Sequence, residues 1–215
     1  MENFKKALID ACVCMTERKL TLGTWGNISL RDPETGCIYL TPSGMDYYGC
    51  VTDDILVYDK EENLVCGNRK PSIEKSMHLM ILQNRKDVNA VIHSHPFYST
   101  VFAVTEQPIP AVTEEFAQII GNDVICAEYA LPGTIELANH ALKALGERNA
   151  VLLTSHGALC VGVDIPSAFM VCEVLEKAAQ VLLMSKLIGT ARIIPEEDVN
   201  KMQNFVKTAY GQIKS

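Results

Sequence analysis

The sequence lacks the cysteine spacing that is typical of a structural zinc site or a dithiol redox site. No two of its eight cysteines are separated by two residues, as a CxxC motif requires. Most of them lie in apolar segments, such as the run at 124–126. Because no secretion signal accompanies them, we expect buried free thiols rather than a disulfide framework.

Long apolar runs and an excess of positive charge are also missing. The longest apolar candidate, 178–189, is interrupted by Gln180, Ser185 and Lys186, so it falls short of the roughly 20 residues that a membrane span needs. The formal net charge of −7 argues against nonspecific binding to nucleic acid or to an anionic membrane. No signal or transit peptide is readable, and we therefore expect a cytoplasmic protein.

The composition present is that of an ordinary globular protein. Hydrophobic residues make up 48% of the 215 residues and charged residues 21%, which excludes a disordered or fibrous chain. A chain of this length can bury one substantial core without dividing into two parts. We therefore expect a single domain over residues 1–215.

Two histidines stand one residue apart at the end of the apolar run 90–92. Side chains alternate along a strand, so His93 and His95 would project from the same face and could converge on one metal ion. The pair alone could equally be accidental or solvated on an edge strand. His156, at the end of another apolar run and followed by glycine, offers the third ligand that a three-histidine zinc site requires.

Three segments have the composition of anion-binding loops, although each also fits an ordinary turn. Two are GTWGN at 23–27 and TPSG at 41–44, where glycines would let backbone N–H groups approach an anion. The third is PSIE at 71–74, where Ser72 would cap a helix whose N-terminus could receive a phosphate. Glu74 and His78 are four residues apart and would share a face of that helix.

Hydrophobic periodicity and turn residues predict a mixture of helices and strands. The predicted helices are 3–20, 70–84, 96–104, 135–145, 165–188 and 196–211. The predicted strands lie within 23–30, 37–40, 55–58, 63–66, 89–95, 124–127 and 151–158.

Taken together, the motifs resemble the class II aldolase/adducin family, most closely its fuculose-phosphate aldolase branch. The resemblance runs in order through most of the chain: GTWGN at 23–27, TPSG at 41–44, PSIE at 71–74, HSH at 93–95, LPGT at 131–134, SHG at 155–157 and KTAYG at 207–211. It implies an α/β fold with three α/β/α layers around a mainly antiparallel sheet. It also implies a homotetramer with active sites at the subunit interfaces.

The resemblance assigns roles to residues of this sequence. His93, His95 and His156 would bind Zn²⁺, with Mn²⁺ or Co²⁺ as alternatives, and Glu74 would be a fourth ligand or the catalytic base. The substrate phosphate would be bound by six residues of the three loops: Thr24, Gly26, Asn27, Ser43, Gly44 and Ser72. Ile73 stands where the family commonly has a serine, which removes one hydroxyl donor from that pocket.

The implied reaction is the reversible cleavage of a ketose 1-phosphate to dihydroxyacetone phosphate and a small aldehyde. L-fuculose 1-phosphate or 5-deoxyribulose 1-phosphate would be the type of substrate. Glu74 would shuttle the C3 proton, and a separate acid would serve the aldehyde oxygen. Fuculose-type aldolases have a tyrosine where this sequence has Glu114, with Glu115 as the adjacent alternative, and their second tyrosine matches Tyr210.

Three alternatives share the same resemblance. Methylthioribulose-1-phosphate dehydratases have a glutamate near the position of Glu114, as this chain does. Pentulose-phosphate 4-epimerases are a weaker match, because their catalytic aspartate has no clear counterpart here. An adducin-like interaction module would have no need of the metal ligands, yet all three histidines and Glu74 are present.

Overall fold

The structure is a computed structural model, and it describes residues 1–208. The helices are α1 Glu2–Glu17, α2 Lys75–Asn84, α3 Phe97–Val104, α4 Glu114–Ile119, α5 Ile135–Leu145, α6 Ile165–Ile188 and α7 Glu196–Thr208. The strands are β1 Asn27–Arg31, β2 Ile38–Leu40, β3 Leu56–Tyr58, β4 Leu64–Cys66, β5 Ala90–Ser94, β6 Ile109–Pro110, β7 Asp123–Val124, β8 Cys126–Ala127, β9 Ala150–Leu153 and β10 Gly157–Gly162.

Eight strands form one sheet in the order β4-β3-β2-β1-β5-β10-β9-β8. Every pairing in it is antiparallel except that of β8 with β9. Helices α1, α3, α4 and α6 pack on one face, and α2 and α5 pack on the other. The expected three-layer α/β/α fold around a mainly antiparallel sheet is therefore confirmed.

Strand β5 lies in the middle of the sheet between β1 and β10, and all five of its residues are buried. Its side chains divide between the two cores: Ile92 packs with the α1 and α6 side and Val91 with the α2 and α5 side. A strand that is covered on both faces needs apolar side chains at successive positions, which explains the uninterrupted run before His93.

The predicted strand 151–158 is instead a hairpin. β9 ends at Leu153 and β10 begins at Gly157, so His156 lies in the connecting turn. Ser155 adopts a φ of 56° in this turn, a conformation that few residues other than glycine accept. Because the residues on both sides of the turn are apolar, hydrophobic periodicity could not distinguish one long strand from two strands joined by a turn.

Further boundaries differ from the sequence prediction, and α1 ends at Glu17 rather than at residue 20. α2 begins at Lys75 with Glu74 in the N-cap position, and the Ser72 hydroxyl accepts a hydrogen bond from the Glu74 backbone N–H at 3.2 Å. The segment 124–127 divides between two short strands, of which β7 pairs with β6 outside the main sheet. The predicted last helix extends to Gly211, and its final three residues lie outside the described part of the chain.

All eight cysteines are free thiols, as expected, but only Cys12, Cys160 and Cys172 are buried and the other five are half-buried. Among the helices of residues 1–208, none combines the length and apolar composition needed to cross a bilayer.

Candidate metal centre and active site

Three histidines converge at one end of the central strands. His93 belongs to β5, His95 directly follows it, and His156 lies in the β9–β10 turn. One ring nitrogen of each lies within 4.8 Å of the others. The pairing of β5 with β10, which sets His93 opposite Leu159, brings the turn beside the end of β5. Separations of this size suit three imidazoles around one ion.

Two glycines allow the neighbouring backbone to approach this segment closely. A Cβ on Gly157 would lie 2.4 Å from the Ser94 carbonyl oxygen, and one on Gly26 would lie 2.9 Å from that of His93. Gly26 also has a φ of +104°. Backbone packing around the histidine segment thus gives a physical reason for both glycines.

Replacing Gly157 by alanine is expected to lower the free energy of unfolding by at least about 2 kcal/mol, because the methyl group would overlap the Ser94 carbonyl. Chemical denaturation measured by circular dichroism tests this. Gly49→Ala is the matched control, since a Cβ there meets nothing within 4 Å, and its effect should stay within about 0.5 kcal/mol. Equal stability of the two variants would contradict the predicted clash.

Glu74, at the N-cap of α2, contacts two of these histidines. Its carboxylate is buried, with Oε2 3.3 Å from His93 Nε2 and Oε1 3.3 Å from His156 Nε2. Asn27 Nδ2 donates a hydrogen bond to Oε2 at 2.7 Å. Oε1 has no hydrogen-bond partner among the described residues. A buried carboxylate oxygen without a donor is costly unless a cation or proton approaches it.

The backbone hydrogen bond of His93 sets which of its ring nitrogens faces the cluster. His93 Nδ1–H donates to the Ala158 carbonyl at 3.0 Å, which leaves the lone pair of Nε2 facing the cluster. His95 Nε2 lies 3.0 Å from that same nitrogen. Burial lowers the pKa of His93 to about 3 and that of His156 to about 4, and it also lowers the pKa of His95. Neutral imidazoles around an unpaired carboxylate oxygen fit a divalent metal such as zinc.

A cavity of about 270 Å³ adjoins the cluster. Glu74, His95 and His156 line it together with all six residues predicted to bind phosphate: Thr24, Gly26, Asn27, Ser43, Gly44 and Ser72. Trp25 and Ile73 also line it, each about 65% exposed. A larger cavity of about 810 Å³ is lined by the loop before β5, the end of β10, the start of α6 and parts of α4 and α7, and its described lining includes none of the predicted site residues.

Comparison with known proteins decides the family. The family described as the Class II Aldolase and Adducin N-terminal domain matches residues 6–183. The chain belongs to this family. The relatives named below are aldolases, so the chain is a class II aldolase, a lyase-type enzyme of a metal-dependent family.

Two relatives and one solved structure show how far the similarity extends. A 5-deoxy-D-ribulose 1-phosphate aldolase of Bacillus thuringiensis serovar kurstaki is 37% identical over 200 residues, covering 92% of each chain. A 5-methylthioribulose-1-phosphate/5-deoxyribulose-1-phosphate aldolase of Rhodospirillum rubrum is 36% identical over 207 residues, covering 96% of this chain and 92% of its own. The structure of an L-fuculose 1-phosphate aldolase superposes with a TM-score of 0.93 at 39% identity, covering 96% and 97% of the two chains.

Glu114 and Glu115, the alternative acids predicted for this class II aldolase, do not join the cluster of their own chain. Glu114 is exposed at the start of α4, where it accepts a hydrogen bond from Gln118 Nε2 at 2.8 Å, and it does not line the metal cavity. Glu115 is paired with Lys177 at 2.6 Å. Tyr210 lies outside the described residues.

Two residues near the class II aldolase site, Trp25 and Glu176, contact its surroundings although the sequence analysis assigned them no role. Trp25 stacks near His95, with ring centroids 6.4 Å apart. Glu176 of α6 accepts hydrogen bonds from the backbone N–H groups of Tyr98 and Ser99 at 2.7 and 2.8 Å, which holds the start of α3 just after His95. An acid in the middle of a long helix looks like a surface charge in the sequence, so no local signal identified it.

Proposed function

We propose that this class II aldolase cleaves a ketose 1-phosphate to dihydroxyacetone phosphate and a small aldehyde. A substrate of the 5-deoxyribulose or L-fuculose type fits the named activities of the relatives. The observation that carries the proposal is the buried Glu74 Oε1, which has no hydrogen-bond partner in the described part of the chain and lies beside the three histidines, at a cavity lined by predicted phosphate-binding residues.

His93, His95 and His156 would hold a zinc ion, with Glu74 as a fourth ligand when no substrate is present. The support is the set of neutral imidazole nitrogens and one carboxylate, which suits zinc and also admits Mn²⁺ or Co²⁺. When bound, the ion supplies a Lewis acid that polarises the ketone oxygen of the substrate.

Glu74 moves the substrate proton in this proposal. Oε2 is held by Asn27, whereas Oε1 has no hydrogen-bond partner among residues 1–208 and can accept a proton from C3 and return it. Both polar atoms of the Asn27 side chain are already engaged, with Glu74 and His78, so a phosphate could receive only its second amide hydrogen.

The phosphate end of the substrate would lie against Thr24, Ser43 and Ser72. Their side chains are hydroxyl donors, and the first turn of α2 begins directly behind Ser72 and Glu74. Free backbone N–H groups and the positive end of the helix dipole favour a phosphate at such a position. Gly26 and Gly44 keep the cavity wall free of side chains.

Glu114 and Tyr210 would reach the aldehyde end from a second copy of the chain. In support, Glu114 lies outside the cavity of its own chain, and Trp25 and Ile73 leave apolar surface exposed at the cavity. A homotetramer with sites at its subunit interfaces would cover this surface. We also propose that residues 1–215 form a single domain and that the enzyme is cytoplasmic.

Purified zinc-loaded protein should be incubated with 5-deoxyribulose 1-phosphate, L-fuculose 1-phosphate and methylthioribulose 1-phosphate. We expect dihydroxyacetone phosphate from at least one of them, measured by coupled enzymatic reduction and by mass spectrometry. Loss of water from methylthioribulose 1-phosphate without dihydroxyacetone phosphate from any substrate would make the enzyme a dehydratase and overturn the aldolase proposal.

A further inference from the structure

A chain of hydrogen bonds leads away from Glu74 through the interior of the protein. Asn27 Nδ2 donates to Glu74 Oε2 at 2.7 Å, Asn27 Oδ1 contacts His78 Nε2, and His78 Nδ1 contacts Ser29 Oγ at 2.7 Å. Asn27 and Ser29 are two residues apart on β1, and His78 lies one helical turn after Glu74 on α2. All four side chains are buried.

The direction of these hydrogen bonds follows from the carboxylate. An ionised carboxylate only accepts hydrogen bonds, so the amide nitrogen of Asn27 must face Glu74 and its oxygen must face His78. Oδ1 accepts, hence His78 Nε2 carries the hydrogen. Nδ1 of the neutral ring then accepts from the Ser29 hydroxyl, and every donor along the chain points towards Glu74.

Packing alone does not account for polar side chains at these positions. The residues on either side of His78, Met77 and Leu79, belong to the apolar core on this face of the sheet. A buried polar group is tolerated when its hydrogen bonds are made, but an apolar residue would fill the same space without that requirement. Of the four residues, Glu74 and Asn27 line the cavity, whereas His78 and Ser29 lie behind them and are not part of its described lining.

We propose that His78 and Ser29 are positioning residues that act through Asn27 to fix the two oxygens of Glu74 in different roles. Asn27 holds Oε2, and Oε1 is thereby left as the oxygen that carries the substrate proton. This inference rests on the proposed function, because it assigns the proton transfer to one atom of Glu74. Misplacing that carboxylate would slow the proton transfer more than it would weaken substrate binding.

The kinetic test compares two substitutions at one position. His78→Leu removes the donor to Asn27 Oδ1, and we expect kcat to fall about 10- to 100-fold while KM and bound zinc change little. His78→Gln restores an amide N–H near the Nε2 position and should recover most of kcat. Ser29→Ala should cause a smaller loss of kcat, and His140→Gln, a histidine outside the cluster on α5, should cause none.

A second measurement needs no substrate. Long-range ¹⁵N–¹H correlation spectra of the zinc-loaded wild type should show His78 protonated at Nε2 and bare at Nδ1. Protonation at Nδ1 alone would reverse the hydrogen bonds and overturn the inference, as would an unchanged kcat in folded His78→Leu. If His78→Leu does not fold, the inference is tested instead by the protonation state of His78 in the spectrum and by the kcat of Ser29→Ala. If the wild type cleaves no ketose phosphate, the proposed function fails, whereas the spectrum still tests the direction of the chain.

Discussion

His156→Ala and His93→Ala are each expected to lower zinc affinity more than about 100-fold and to remove measurable turnover. Each change deletes one of three converging imidazoles and leaves the Glu74 carboxylate buried with one fewer neighbour. Losing an outer hydrogen-bond partner of a ligand already costs 10- to 100-fold in metal affinity, so the loss of a ligand should cost more. Zinc per chain after dialysis, measured by plasma mass spectrometry, reports the result.

His140→Ala is the matched control for these variants. His140 lies on α5, and its Nδ1 is near the Glu128 carbonyl oxygen, so it takes no part in the cluster. The control should retain zinc and activity at the wild-type level. Undiminished zinc in both His93→Ala and His156→Ala would show that the cluster does not hold the metal.

Glu74→Gln is expected to reduce kcat by about 10²- to 10⁴-fold, because an amide cannot accept and return the substrate proton. The protein should still bind metal, since His93, His95 and His156 remain. The amide oxygen can also keep the hydrogen bond from Asn27, so the fold should be retained. Steady-state kinetics and zinc content should be measured on the same preparation.

Glu128→Gln is the matched control for Glu74→Gln, because it removes the same charge from an exposed glutamate. Its kinetics should match the wild type. If Glu74→Gln retained kcat within about threefold of the wild type with zinc bound, another group would have to act as the base.

The central part of the fold could be predicted because its sequence signals are local. The apolar run of β5 is buried on both faces, and His93 follows it. One face of the strand carries alternate side chains, which brings His93 and His95 together. The order of the strands in the eight-stranded sheet, in contrast, depends on long-range pairing such as that of β1 with β5. Hydrophobic periodicity could not predict it.

The position of His156 shows why part of the site was harder to predict. The residues around it are apolar on both sides, so the sequence suggested a strand where the chain makes a turn. The turn depends on the positive φ of Ser155 and on the absence of a side chain at Gly157. Both are conformational properties that become clear only once β10 is placed beside β5.

Contacts between distant residues were beyond the sequence signal. Asn27 looked like part of an anion loop, whereas the structure also joins its amide to Glu74 and His78. Glu114 aligned with a family tyrosine, but its position at the exposed start of α4 depends on the tertiary structure and could not be predicted from the sequence. Its predicted role as an acid stays a prediction until an assembled enzyme is tested.

The most direct measurement of the central claim is dihydroxyacetone phosphate release by three samples of the wild type: as purified, stripped by a chelator, and reloaded with zinc. Each receives the ketose 1-phosphate that reacts fastest in the substrate comparison. We predict turnover in the first sample, its loss on stripping and its recovery on reloading. Equal turnover by the fully stripped protein would contradict a metal-dependent aldolase built on His93, His95, His156 and Glu74.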